Sequence, residues 1–158
     1  MTMNVTDTDN VKIITKPWGW EKWMQPGDDE HRYVLKQIYL KKGNRTSLQV
    51  HQLKSETIVI LEGKGKIWTY KNRFDTDRYL KGLMSKKELE HVLDQVEAYD
   101  VTVNSVIHIT SNTIHRMESI EDLLFFEAST TELDDVVRIQ DDSQRGHGKI
   151  IEEHQVVK

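Results

Sequence analysis

The chain has 158 residues, enough for one domain with a sizeable core and too few for two. Its 37% hydrophobic and 30% charged residues are those of a globular protein, with no apolar run near the roughly 20 residues of a membrane span and no cysteine for a disulfide or a thiolate metal site. A net charge of −4 and a pI near 6.0 argue against a nucleic-acid partner, which requires a basic face.

The polar start MTMNVTDTDN lacks the basic and apolar stretches of a signal peptide, so a cytoplasmic location is expected, and residues 1–15 read as an arm, free or paired along a sheet edge. From Lys16 the stretch KPWGWEKW is an aromatic entry with a Pro-Trp-Gly turn. RYVLKQIYL alternates, with Val34, Lys36, Ile38 and Leu40 on one side and Tyr33, Leu35, Gln37 and Tyr39 on the other, the period of a strand. KKGN is a turn, RTSLQVHQ the next strand, and ETIVILEGKGKIWTY two more joined at Gly63-Lys64-Gly65. Lys36, Lys41, Lys42, Arg45 and Lys54 make this region locally basic, either as solvated lysines at strand ends or as an anion-recognition surface.

SKKELEHVLDQVEAY breaks the β pattern. Ser85 with Glu88 forms a capping box, and Leu89, Val92, Leu93 and Val96 share one helical face, which predicts one inserted α-helix near 85–99 packed on the outside of the sheets or over their mouth. Strands resume in YDVTVNSVIHIT, RMESI, LLFFEAS and VVRI, closing a domain over 16–145, followed by a charged tail over 146–158. Short strands with glycine turns at this spacing predict an all-β sandwich or barrel.

Gln49 and His51 are two apart on a predicted strand and so face one side, with Arg45 and Ser47 sharing that parity if the strand extends so far. Glu56 opens the next strand after a short turn and can point back toward His51, with Ile58 and Ile60 continuing its face. His115 comes much later, after SVIHIT and the turn SNTI, but a closed barrel brings distant strands to one interior. Two imidazoles, a carboxylate and an amide oxygen form a mixed N/O donor set suited to zinc, iron, manganese, cobalt or nickel; on spacing alone a histidine in a strand is equally a core or surface residue.

The spacing Gly43, five residues, Gln49 and His51, four residues, Glu56, six residues, Gly63 matches the first motif of the cupins, and SLQVHQLKSE most resembles the cupin domain of type II mannose-6-phosphate isomerases, often fused to mannose-1-phosphate guanylyltransferase. KPWGWE resembles that family's Arg-Pro-Trp-Gly entry. FFEASTTELDDVVRIQDDSQR resembles its closing segment, with Asp134, Asp135, Val137, Arg138, Asp141, Asp142 and Arg145 in register. The resemblance implies an all-β, double-stranded β-helix or jelly-roll barrel holding one divalent metal ion, zinc first, through Gln49, His51, Glu56 and His115. It also implies interconversion of an aldose and a ketose phosphate, mannose 6-phosphate and fructose 6-phosphate, for nucleotide-sugar or polysaccharide-precursor synthesis. Lys54, His108 and Glu127 are the candidate proton carriers, and Arg45, Lys54 and Arg116 the candidates for the phosphate.

The sequence also departs from the family. Gln52, Leu53 and Lys54 stand where further histidines and an arginine are usual, Ile109-Thr110-Ser111-Asn112 replaces an Ile-Pro-x-Gly turn, and Ser119 replaces an asparagine. Lysine keeps the charge but loses arginine's planar fork. Two other readings follow. One is a non-haem iron oxygenase using His51, Glu56 and His115 with Gln49 behind them. The other is a non-catalytic cupin that binds a sugar or sugar nucleotide beside a separate guanylyltransferase. The arm and exposed strand edges predict a homodimer.

Overall fold

The computed structural model describes residues 3–142 and, as backbone, 148–149, so Arg145 and most of the tail lie outside the described residues. Twelve strands are described: β1 (Lys12–Lys16), β2 (Gly19–Gln25), β3 (Val34–Leu40), β4 (Leu48–Val50), β5 (Glu56–Glu62), β6 (Lys64–Thr69), β7 (Glu97–Thr102), β8 (Val106–Ile109), β9 (His115–Ser119), β10 (Leu123–Ser129), β11 (Val137–Gln140) and β12 (Gly148–Lys149). They form two antiparallel six-stranded sheets, ordered β1-β2-β3-β10-β5-β8 and β12-β11-β4-β9-β6-β7, the all-β jelly roll that the sequence predicts. Among the described residues no helix is long and apolar enough to cross a membrane.

Period-2 patterning sets the inner face. In β3, Val34, Lys36, Ile38 and Leu40 are all buried while their neighbours are half-buried. Ile38 and Leu40 join Ile58, Ile60, Ile67, Met117, Leu123, Phe125 and Trp18 in the core between the sheets, each side chain contributing roughly 1.5–3 kcal/mol by leaving water. β5 and β6 follow one another without pairing, because the chain crosses from one sheet to the other at Gly63. That residue has φ of +87°, and a Cβ there would lie 2.1 Å from the Asp122 carbonyl oxygen. Gly63→Ala is therefore expected to cost roughly 2–4 kcal/mol, from the left-handed backbone and the backbone clash together, read as a shift in urea midpoint.

The inserted segment differs from the expected single helix. α1 (Thr76–Leu80) is an additional short helix, and α2 (Lys86–Leu93) carries the predicted capping box but stops at Leu93. From Glu97 the chain becomes β7, because its backbone pairs with the whole edge of β6 from Thr69 to Lys64. The apolar face is as predicted: Leu89, Val92, Leu93 and Val96, with Phe74, Tyr79 and Leu80, pack on Leu48, Val50, Ile114, Val137 and Ile139. This second core lies on the outer side of the second sheet. Leu48 and Val50 bury into it, which turns Gln49 between them toward the barrel interior.

Candidate metal centre

At one end of the barrel, three strands place three potential ligands around one point. His51 follows β4, Glu56 opens β5 and His115 opens β9, and their ligand atoms all lie within 4.8 Å of one another. His115 Nε2 is 3.0 Å and His51 Nε2 is 3.7 Å from Glu56 Oε1, and the two imidazole rings have centroids 5.0 Å apart. The three side chains are only 1–6% exposed.

The rings are fixed from behind. His51 Nδ1 is 2.5 Å from the Asp135 carbonyl oxygen and His115 Nδ1 is 2.9 Å from that of Thr113. A carbonyl only accepts, so each Nδ1 carries the proton and each Nε2 presents a lone pair. Burial, followed by the nearby Lys54 cation, pushes the His51 pKa down and keeps the ring neutral. Both Nε2 atoms and Glu56 Oε2 are buried without a hydrogen-bond partner. Two lone pairs thus face a carboxylate across 3.0–3.7 Å, an arrangement that repels itself unless a cation lies between them. The donor set fits a divalent metal ion with N/O preference.

Gln49 pairs with His115 across β4 and β9 and lines the same cavity, where its Oε1 accepts a 2.8 Å hydrogen bond from Ser47 Oγ. Lys54 and Glu127 line it too. Lys54 Nζ lies 3.1 Å from Glu56 Oε2, an ion pair without hydrogen-bond alignment, and 3.9 Å from Glu127 Oε2. Burial alone would raise Glu56, but the Lys54 cation opposes it, and this carboxyl is held well below its ordinary range. Burial would likewise lower Lys54, yet Glu56 and Glu127 raise it instead. Glu127 is pushed up to about 7, first by burial and then by the Glu56 charge.

Three expected site residues lie elsewhere. His108 sits between the inward-packed Ile107 and Ile109, so it points outward, with Nδ1 3.0 Å from Thr57 Oγ1. Arg116, between the inward His115 and Met117, points to the outer side of the second sheet and donates from Nε to the Thr46 carbonyl at 2.9 Å. Arg45 precedes β4, whose regular alternation begins only at Leu48, and it lies on the same outer side, where Asp142 pairs with both arginines. Sequence reasoning missed Glu21 and kept Lys36 only in the locally basic stretch; the two line the cavity as an ion pair at 3.6 Å. Lys36 shares parity with Ile38 and Glu21 with Trp23, so the inward placement of both charges was readable. It also missed Asp135 behind His51, for which the only signal was its place in the closing segment.

A family model described as "Mannose-6-phosphate isomerase C-terminal" matches residues 4–84. Comparison with curated proteins gives no match. Among solved structures, the capsular polysaccharide assembling protein CapF from Staphylococcus aureus superposes with a TM-score of 0.60 at 17% identity, covering 82% of this chain and 34% of that one. A mutant of Bacillus subtilis oxalate decarboxylase gives 0.60 at 12% identity, covering 84% and 31%, and a further structure of that enzyme concerns its Mn(II) centres. Ectoine synthase from P. lautus gives 0.62 at 13% identity, covering 83% and 80%. The chain spans about a third of the length of the CapF and oxalate decarboxylase chains, and at these identities the likeness is one of fold.

Proposed function

The chain belongs to the mannose-6-phosphate isomerase C-terminal family of cupin domains, and from that premise we propose that it is a metal-dependent isomerase of sugar phosphates, of the mannose 6-phosphate/fructose 6-phosphate type. One observation carries the reading: the buried, unpartnered Nε2 atoms of His51 and His115 converge with Glu56 in a cavity that also holds the Lys54–Glu127 pair. His51, Glu56 and His115, with Gln49 beside them, would hold the ion, zinc first. Such an ion supplies Lewis-acid polarisation of a carbonyl oxygen.

The chain's own residues do the rest. Aldose–ketose interconversion moves one proton between neighbouring carbons, which calls for a group that takes a proton and returns it near neutral pH. Glu127 at about 7 has that property, and its Oε2 lies 3.9 Å from the cationic Lys54 Nζ, which holds the carboxylate in place. Trp18, Ile58, Met117 and Phe125 wall the cavity and exclude water from the exchange. Among the described residues its cations are Lys36 and Lys54, with no arginine, so phosphate recognition falls to these lysines rather than to Arg45 or Arg116.

The test is metal analysis of the purified protein followed by an anaerobic coupled assay with zinc, cobalt or manganese. Conversion of mannose 6-phosphate is expected, and loss of it in a Gln49→Ala, His51→Ala double variant. Binding of sugar phosphates without conversion, whatever the metal, replaces the isomerase by a non-catalytic sugar-binding cupin. A second enzymatic reading has one observation in its favour. The Gln49 oxygen is already engaged by Ser47, which leaves the two-histidine, one-carboxylate set of non-haem iron oxygenases. Oxygen consumption strictly dependent on Fe(II) would favour it over the isomerase.

A further inference from the structure

Between β4 and β5 the segment 51–55 carries His51 and Lys54 and delivers Glu56, yet it belongs to no strand. Its backbone groups therefore need partners from outside the sheets. Three successive N–H groups turn to one carboxylate: Gln52 N donates to Asp135 Oδ1 at 3.0 Å, and Leu53 N and Lys54 N donate to Oδ2 at 2.6 and 2.9 Å. The main-chain carbonyl of the same residue accepts the Nδ1–H of His51. On the opposite side Asn112 completes the enclosure, its N–H donating to the His51 carbonyl at 2.6 Å and its Nδ2 to the Gln52 carbonyl at 3.3 Å.

We propose that Asp135 is a positioning residue of the metal centre: its carboxylate clamps the 52–54 backbone while its carbonyl orients the His51 ring, so that His51 Nε2 and Lys54 Nζ are held in register with Glu56. The inference rests on the metal-binding reading above. It goes beyond that reading because Asp135 reaches the centre only through other residues. The geometry distinguishes it from an ordinary loop anchor. The carboxylate fixes the residue to the loop, and that fixed residue then presents the carbonyl that selects the tautomer of a ligand. Asp142, on the same closing segment, does not share the arrangement: it pairs with Arg45 and Arg116 on the outer side of the sheet.

Asp135→Asn is nearly isosteric, leaves the main-chain carbonyl in place, and sets an NH2 group against amides that need an acceptor. Metal affinity of the full chain, measured by competition with a chromophoric chelator, is expected to fall about 10–100-fold, the usual effect of losing an outer partner of a ligand. The absorption bands of the Co(II)-loaded protein should shift, a signature that a general loss of stability does not produce. Asp142→Asn should leave both affinity and spectrum unchanged. A folded Asp135→Asn variant with wild-type affinity and spectrum overturns the inference. Should that variant fail to fold, hydrogen exchange in the wild type decides: the amides of Gln52, Leu53 and Lys54 must be protected, and exchange at the rate of open-loop amides overturns the clamp. A wild type that takes up neither zinc nor Co(II) removes the metal reading itself and this inference with it, an outcome distinct from failure of the Asp135 variant alone.

Discussion

His115→Ala lowers affinity for a divalent metal ion about 1000-fold or more, because the loss of a ligand exceeds the 10–100-fold loss expected for an outer partner. The imidazole is buried, its Nδ1–H belongs to the Thr113 carbonyl, and its Nε2, 3.0 Å from Glu56 Oε1, is the ligand atom that alanine removes. Linkage gives the size of the readout. At a metal concentration about 1000 times its Kd the wild type gains roughly 4 kcal/mol of stability. At that same concentration a variant with 1000-fold weaker affinity is only half-saturated and gains about 0.4 kcal/mol. Unfolding in urea with zinc, against unfolding with a chelator, checks this directly. If the wild type gains nothing from zinc, cobalt or manganese, the three buried side chains are not a metal centre.

Much of this centre was legible because strand parity is a strong constraint. Gln49 faces inward since Leu48 and Val50 are apolar and bury outward under the helices, and Glu56 shares its side with Ile58 and Ile60. The same rule, applied to the residues beside the ligands, would have removed His108 and Arg116 from the candidate site. Each alternates with inward residues, His108 with Ile107 and Ile109, Arg116 with His115 and Met117. Arg45 failed for another reason: parity was extended past the start of β4, where the backbone is no longer a strand. The end of α2 was illegible locally, because Val96 still lies on the apolar face and the transition to β7 comes from pairing with β6, a tertiary contact. The Asp135 clamp is likewise long-range, joining residues 81–83 positions apart with no periodic signal to announce it.

Lys54→Met destabilises the metal-free protein by about 3–5 kcal/mol near pH 8, the usual penalty for leaving a buried charge without its partner. Methionine keeps most of the volume, so the effect isolates the charge. The ammonium lies 3.1 Å from Glu56 and 3.9 Å from Glu127, and it is the cation that holds Glu56 well below its ordinary range. Without it two buried carboxyls face each other, and Glu127, already at about 7, rises further. The pH dependence follows in sign. Glu127 is raised above its unfolded value of 4.5, so the stability it permits is intact below that value and is lost as pH climbs through the folded value of about 7. Glu56 is lowered, so its contribution is intact above 4.5 and is lost only as pH falls toward its folded value. The penalty of Lys54→Met should therefore shrink near pH 6, where Glu127 carries its proton, and grow toward pH 8. Adding Glu127→Gln should recover roughly 1–3 kcal/mol of the loss near pH 8 and little near pH 6, since the amide removes the charge that lost its partner. Urea unfolding of the single and double variants at the two pH values, with chelator present, measures both effects. A Lys54→Met protein as stable as wild type near pH 8 would mean that Lys54, Glu56 and Glu127 do not share one buried electrostatic network.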